Sequence, residues 1–135
     1  MLVQKIRQLN NELETYLKIR LGEFDLSIGQ WEVLMAIYKS TDNAISATKL
    51  EKRLQLDKRL LSLTLTKLER NGYIERVSLN IDKRKKYIEL TIEALEIAED
   101  LRAIEVELND VMIEQLNNNL SFEENLTLLS ARLQE

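Results

Sequence analysis

The stretch "LQLDKRLLSLTLTKLERNGYIERVSL", Leu54 to Leu79, and the "NIDKRKKYIELT" that follows it constrain the fold more than any other part of the chain. Asp57 is a good helix N-cap: its carboxylate accepts from first-turn amides and suits the positive end of the helix dipole. Asn71-Gly72 is a good C-terminal stop, so Lys58 to Arg70 is expected to be helical. Ahead of it, Ser46 caps a short helix through Leu54 that buries Ala47, Leu50 and Leu54. A short helix, a turn of a few residues and a second helix have helix-turn-helix spacing. Behind Gly72, "YIERVSL" and "YIELT" are rich in β-branched and aromatic residues, and the polar "NIDKRKK" between them makes an antiparallel hairpin. The expected fold class is therefore mainly α with a small β-hairpin, a winged helix-turn-helix whose wing tip is the basic loop.

The flanks read as helices. Leu2, Ile6, Leu9, Leu13 and Tyr16 alternate steps of four and three before Gly22 supplies a stop. Ser27 with Gln30 has the capping-box pattern, and Trp31, Leu34, Met35 and Tyr38 follow at helical spacing to an end near Ser40. "STDNA" is a polar turn, and Ile45 makes one short extended pairing. From Thr91 the helical pattern returns in Ile97, Leu101, Ile104, Leu108 and Val111. "NNNL" breaks it, and "SFEE", a second capping box, leads into Phe122, Leu126, Leu129 and Leu133. The expected division is a winged helix-turn-helix at 27–91 with dimerisation helices at 1–24 and 92–135. One winged unit cannot cover all the terminal stripes, so these helices are expected to interleave with those of a second copy; the alternative is a monomer that folds its own ends together.

Composition removes other classes. At 135 residues there is room for one domain, and 44% hydrophobic with 31% charged residues is ordinary for a folded chain. With no Cys and no His, disulfides, thiol redox chemistry and the commonest zinc and general-base side chains are missing. There are three Gly, and neither a Gly-rich phosphate loop nor a nucleophile elbow is seen, so no enzyme, metal or cofactor is expected. Lys5 and Arg7 interrupt the apolar core a signal peptide needs, and no window has the length of a membrane span, which makes a cytoplasmic location and no membrane partner the expectation. The formal net charge is -4, yet Ser46 to Leu90 holds 12 basic and 6 acidic residues against 7 and 17 elsewhere. A run of charge is commonly a solvated face, but here it coincides with a motif that reads nucleic acid.

The order of elements, with "IGQWEVL", "LDKRLLSLTLTKLERNGYIER" and "DKRKKYIELT", resembles the MarR family of bacterial transcriptional regulators over nearly the whole chain, 1–135. Leu68 to Arg76 fits the family's leucine, charged pair, glycine, apolar pair and arginine; Asp82-Lys83-Arg84 fits its wing signature, and Leu90-Thr91 its strand end. The resemblance implies a homodimer joined by helices from both termini, with each recognition helix in a major groove of double-stranded DNA and the wing arginine in the neighbouring minor groove. It also implies a transcriptional regulator, a repressor on a pseudo-palindromic operator, released by a small-molecule effector such as an aromatic acid. No ligand-binding residues are identified: Trp31, Tyr16 and Tyr38 either line a pocket or belong to the core. Lack of Cys argues against the thiol-sensing members and lack of His against the zinc-sensing ones.

At about 100° per residue, Leu61, Leu65 and Leu68 share the core side of the Lys58 to Arg70 helix. Arg59, Leu63, Thr66 and Arg70 project opposite them, with Ser62 and Lys67 on the flanks. The expected DNA-binding residues are Lys58, Arg59, Ser62, Leu63, Thr66, Lys67 and Arg70 on the helix and Lys83, Arg84, Lys85 and Lys86 on the wing. Arg59, Lys67 and Arg70 suit phosphates or guanine edges, and Ser62 and Thr66 suit either. Arg84 is the candidate for minor-groove insertion, and Lys83, Lys85 and Lys86 are backbone clamps. Asp82 is a wing-orienting residue that pairs with Arg84 or Arg76, while Lys49, Lys52 and Arg53 add phosphate contacts. Leu60 and Leu63 depart from the family pattern of Ser or Thr and Arg. Leu63 either touches a thymine methyl, covers a protein partner, or marks a helix rotated from this placement. A protein-protein interaction module with vestigial DNA binding is the rival function.

Overall fold

The computed structural model describes residues 1–54, 56–79, 82–117 and 121–134, the side chains of residues 79 and 82–85 excepted. The chain divides into two compact units, Met1–Arg102 and Ala103–Glu135.

In the first unit α1 (Leu2–Gly22) is followed by α2 (Ile28–Tyr38), a 3₁₀ turn (Thr41–Asn43), β1 (Ala44–Ser46), α3 (Ala47–Leu54), α4 (Lys58–Arg70), β2 (Ile74–Leu79), β3 (Asp82–Leu90) and the start of α5 (Ile92–Gln115). α2 opens with the capping box that Ser27 and Gln30 predict: Gln30 N donates to Ser27 Oγ at 3.1 Å, and Ser27 N donates to Gln30 Oε1 at 2.8 Å. Its burial exceeds the stripe expected from periodicity. Val33, Ala36 and Ile37 are buried along with Trp31, Leu34 and Met35, because α1, α3, α4 and β3 all pack on it. A helix covered on several sides, with Glu32 left exposed, loses the amphipathic period. α2 is the post on which the other elements of this unit are mounted.

Trp31 is core, only 8% exposed, and its indole Nε1 donates to the Leu101 carbonyl at 3.0 Å. The beginning of α5 belongs to the same core through Ala94, Ala98 and Leu101, and the Tyr38 hydroxyl donates to the Glu99 carboxylate. That hydrogen bond, with some desolvation, holds the Tyr38 pKa above the ordinary tyrosine value.

The strands form an antiparallel sheet ordered β1-β3-β2, so the short pairing expected of Ile45 is a third strand beside the hairpin: Ile45 faces Ile88, and Ile74 faces Leu90. These four residues are buried. A register irregularity at Ser78/Leu79 precedes the wing tip.

The end of α4 fixes where β2 begins. Gly72 N donates to Glu69 O, and Tyr73 N donates to Leu68 O at 2.9 Å, a Schellman-type closure that places Gly72 at φ 82°. Thr91 Oγ1 then donates to the Gly72 carbonyl at 2.6 Å and accepts from Ala94 N, tying the start of α5 to the same turn. A Cβ at Gly72 would meet nothing within 4 Å, so the objection to a side chain there is conformational. Gly72→Ala is expected to destabilise the protein by about 1–2 kcal/mol, read as a lowered urea midpoint with an unchanged m-value.

In the second unit, Ala103–Glu135, α5 runs on to Gln115 and α6 spans Ser121–Leu133. Ile104 is buried, while Val106, Val111, Leu126, Leu128, Leu129 and Leu133 are exposed. In the first unit α1 likewise exposes Leu2, Ile6, Leu9, Tyr16 and Ile19. Among the described residues no helix is long and apolar enough to cross a membrane.

Candidate nucleic-acid interface

α4 is capped as its sequence demands. Asp57 Oδ1 accepts from Arg59 N at 2.9 Å, and the Asp57 carbonyl accepts the first helical bond from Leu61 N at 2.9 Å. Leu61, Thr64, Leu65 and Leu68 are buried beneath it. Thr64 was not among the expected core residues; its hydroxyl is satisfied inside the helix by donating to Leu60 O at 2.9 Å. With that side held against α2 and β2, the opposite side is forced outward. Lys58, Arg59, Ser62, Leu63, Thr66, Lys67 and Arg70 are all exposed.

One of these exposed side chains, Thr66, is already engaged. Thr66 Oγ1 donates to the Ser62 carbonyl at 2.9 Å and accepts from Arg76 NH2 at 3.3 Å. Having spent its proton inside the helix, Thr66 offers only an acceptor outward. Arg76, on β2, also pairs through Nε with Glu69 Oε2 at 3.7 Å. It thus lies against the last turns of α4, which adds a cation beside the exposed face. The sequence carried the signal for this contact only once the Gly72 turn is drawn, since that turn folds β2 back on α4.

Of the wing, Lys86 is exposed on β3 opposite Ser78. The side chains of Asp82, Lys83, Arg84 and Lys85 lie outside the described residues, and so do the pairing expected of Asp82 and the tip at residues 80–81. On α3, Lys49 and Lys52 are exposed. Arg53 is committed elsewhere: its NH1 donates to Ser40 Oγ at 3.0 Å and to the Ala36 carbonyl at 3.4 Å, closing the C-terminal end of α2. A cation at a helix C-terminus is stabilising there.

Beside the exposed face of α4 runs a groove of about 330 Å³, lined by Ser27, Gly29 and Gln30 at the start of α2 and by Leu56, Leu60, Leu63, Thr64 and Lys67. Neither Trp31 nor Tyr38 lines it. The described surface therefore joins the exposed face of α4 with its cations, the β2-β3 hairpin carrying Arg76 and Lys86, and an apolar strip at Leu60 and Leu63. Hydroxyl and cationic groups on an exposed helix face are the chemistry that phosphates and base edges accept.

Residues 26–86 match the sequence profile of the MarR family. The HTH-type transcriptional repressor YetL of Bacillus subtilis is 34% identical over 87 residues, 64% of this chain and 50% of YetL. The HTH-type transcriptional regulator SarZ of Staphylococcus aureus (strain USA300) is 35% identical over 88 residues, 65% of this chain and 58% of SarZ. The aligned part is thus little more than half the length of these curated relatives. The crystal structure of the S. aureus MepR-DNA complex superposes with a TM-score of 0.89 at 25% identity, covering 98% of each chain. The winged-helix geometry of α3, α4 and the β-hairpin agrees with these likenesses: residues 26–86 match the MarR family in sequence, and the chain is similar in fold to MepR.

Proposed function

We propose that this protein is a double-stranded DNA-binding transcriptional regulator that reads a specific sequence with α4 and grips the flanking backbone with the wing. The observation that carries the reading is the outward face of α4, where Arg59, Lys67 and Arg70 are exposed on a chain whose net charge is -4. Cations gathered on one exposed helix face of an acidic protein are the footprint of a polyanionic partner. The superposable chain in the MepR complex lies on DNA, and the curated relatives are named as regulators.

The finer parts belong to the same proposal. The exposed apolar residues of α1 and α6 fit a homodimer in which a second copy covers them, since exposed apolar surface seeks a partner. Repression, as in the name of YetL, fits a dimer that occupies an operator. Release by a small-molecule effector rests on the family resemblance, as does a cytoplasmic location on the company of DNA.

Selecting bound fragments from the source genome tests these parts together. The expected product is an inverted repeat whose half-sites lie about one helical turn, roughly 34 Å, apart, bound by a species that sediments as a dimer. Recovery of fragments without common sequence or two-fold symmetry, or a monomer at all concentrations, would remove the dimeric operator reading.

A further inference from the structure

We infer that Leu63 reads the C5-methyl group of a thymine in the major groove, which makes a thymine at one position of each half-site a requirement set by this side chain. The inference rests on the proposed DNA-reading role of α4. Leu63 is 55% exposed and lies nearly opposite the core residues of α4. An apolar side chain so placed loses free energy to water in the isolated protein and regains it only against apolar surface.

Its neighbours decide what that surface is. At four residues on either side, and hence on the same stripe of the helix, stand Arg59 and Lys67, both exposed. A protein covering Leu63 would have to desolvate or pair both cations. A major groove instead meets them with phosphates along its walls while offering methyl groups along its floor. One turn on, Thr66 cannot donate, because its proton is held by the Ser62 carbonyl. At the centre of this face the contact Leu63 can make is apolar, and in the major groove the apolar mark is the thymine methyl. Leu60, 52% exposed, lies farther round the helix, toward the groove it shares with Leu56 and Gly29, and backs Leu63 on the side away from Thr66.

The test uses the full chain and a duplex carrying its selected site. Each thymine is replaced in turn by deoxyuridine, which removes the 5-methyl group alone, and affinity is measured for wild type, Leu63→Ala and Leu60→Ala. One thymine per half-site is expected to lose about fourfold on replacement, the equivalent of one buried methyl group. That loss disappears in Leu63→Ala, persists in Leu60→Ala, and leaves the salt dependence unchanged. Leu63 is exposed, so the variant should keep the wild-type melting temperature. Site-specific binding in which every deoxyuridine is tolerated, or in which the loss persists in Leu63→Ala, overturns the inference while leaving DNA reading by α4 intact. Absence of duplex binding by the folded wild type takes down both, and gives Leu60 and Leu63 to a protein partner.

Discussion

Trp31→Ala is expected to destabilise the protein by about 3–5 kcal/mol, a large share of the roughly 5–15 kcal/mol that holds a domain folded. Two effects add. The indole is almost wholly buried on α2, so truncation leaves a cavity that the close-packed surroundings fill only in part. The Nε1 bond to the Leu101 carbonyl is also one of two polar ties between α2 and α5 among the described residues, the other being Tyr38 to Glu99. Trp31→Phe separates them: it keeps most of the ring contacts and loses the bond, for about 1 kcal/mol plus the mismatch in volume. Urea unfolding followed by circular dichroism gives both numbers. Because α2 carries α4 on another side, Trp31→Ala should weaken DNA binding only near its unfolding midpoint. A loss below about 1 kcal/mol would mean that the indole is not packed as described.

The second large effect is electrostatic and leaves the fold alone. Replacing Arg59, Lys67 and Arg70 together by Ala removes three exposed cations from α4; each makes no ion pair among the described residues, so no partner is left unsatisfied. Each lost phosphate contact should lower the magnitude of the log-log salt slope by about one, and the three together should reduce duplex affinity by roughly a hundredfold or more at moderate salt. Melting temperature should hardly move, since solvated surface cations contribute little to stability. Restoring Lys67 alone should return about one unit of slope. An equal loss of affinity with no change in slope would place these residues away from phosphates and assign their role to base edges.

Much of the architecture was legible because local signals were redundant. α4 begins and ends where Asp57 and Asn71-Gly72 say it should, each acting through a hydrogen bond seen in the structure. α2 starts at a capping box whose two bonds both form. Even β1 was readable from Ile45, whose partner is Ile88. Legibility failed where tertiary surroundings override periodicity. Val33, Ala36 and Ile37 lie outside the apolar stripe of α2, and they are buried because neighbours close on α2 from several sides. Thr64 looks like a surface residue of α4 but satisfies its hydroxyl on the Leu60 carbonyl and goes inside.

The candidate surface shows the same division. Which α4 side chains face outward followed from counting angles around a helix, and all of those named are exposed. How they are engaged did not follow. Arg53 reads as a free cation next to Lys52, yet its reach is set by a helix end far from it in sequence. Arg76 reads as a wing residue, yet the sharp turn at Gly72 lays it on Thr66 and Glu69. Such pairings depend on the angle between elements, which neither spacing nor composition encodes.

The most direct measurement of the central claim is the affinity of the full chain for its selected duplex between 50 and 200 mM salt. If the α4 and wing cations sit on phosphates, log K falls linearly with log salt at a slope of about −4 or steeper. A slope near zero would contradict the claim, because a surface that binds duplex without displacing counterions is not using its cations on the backbone.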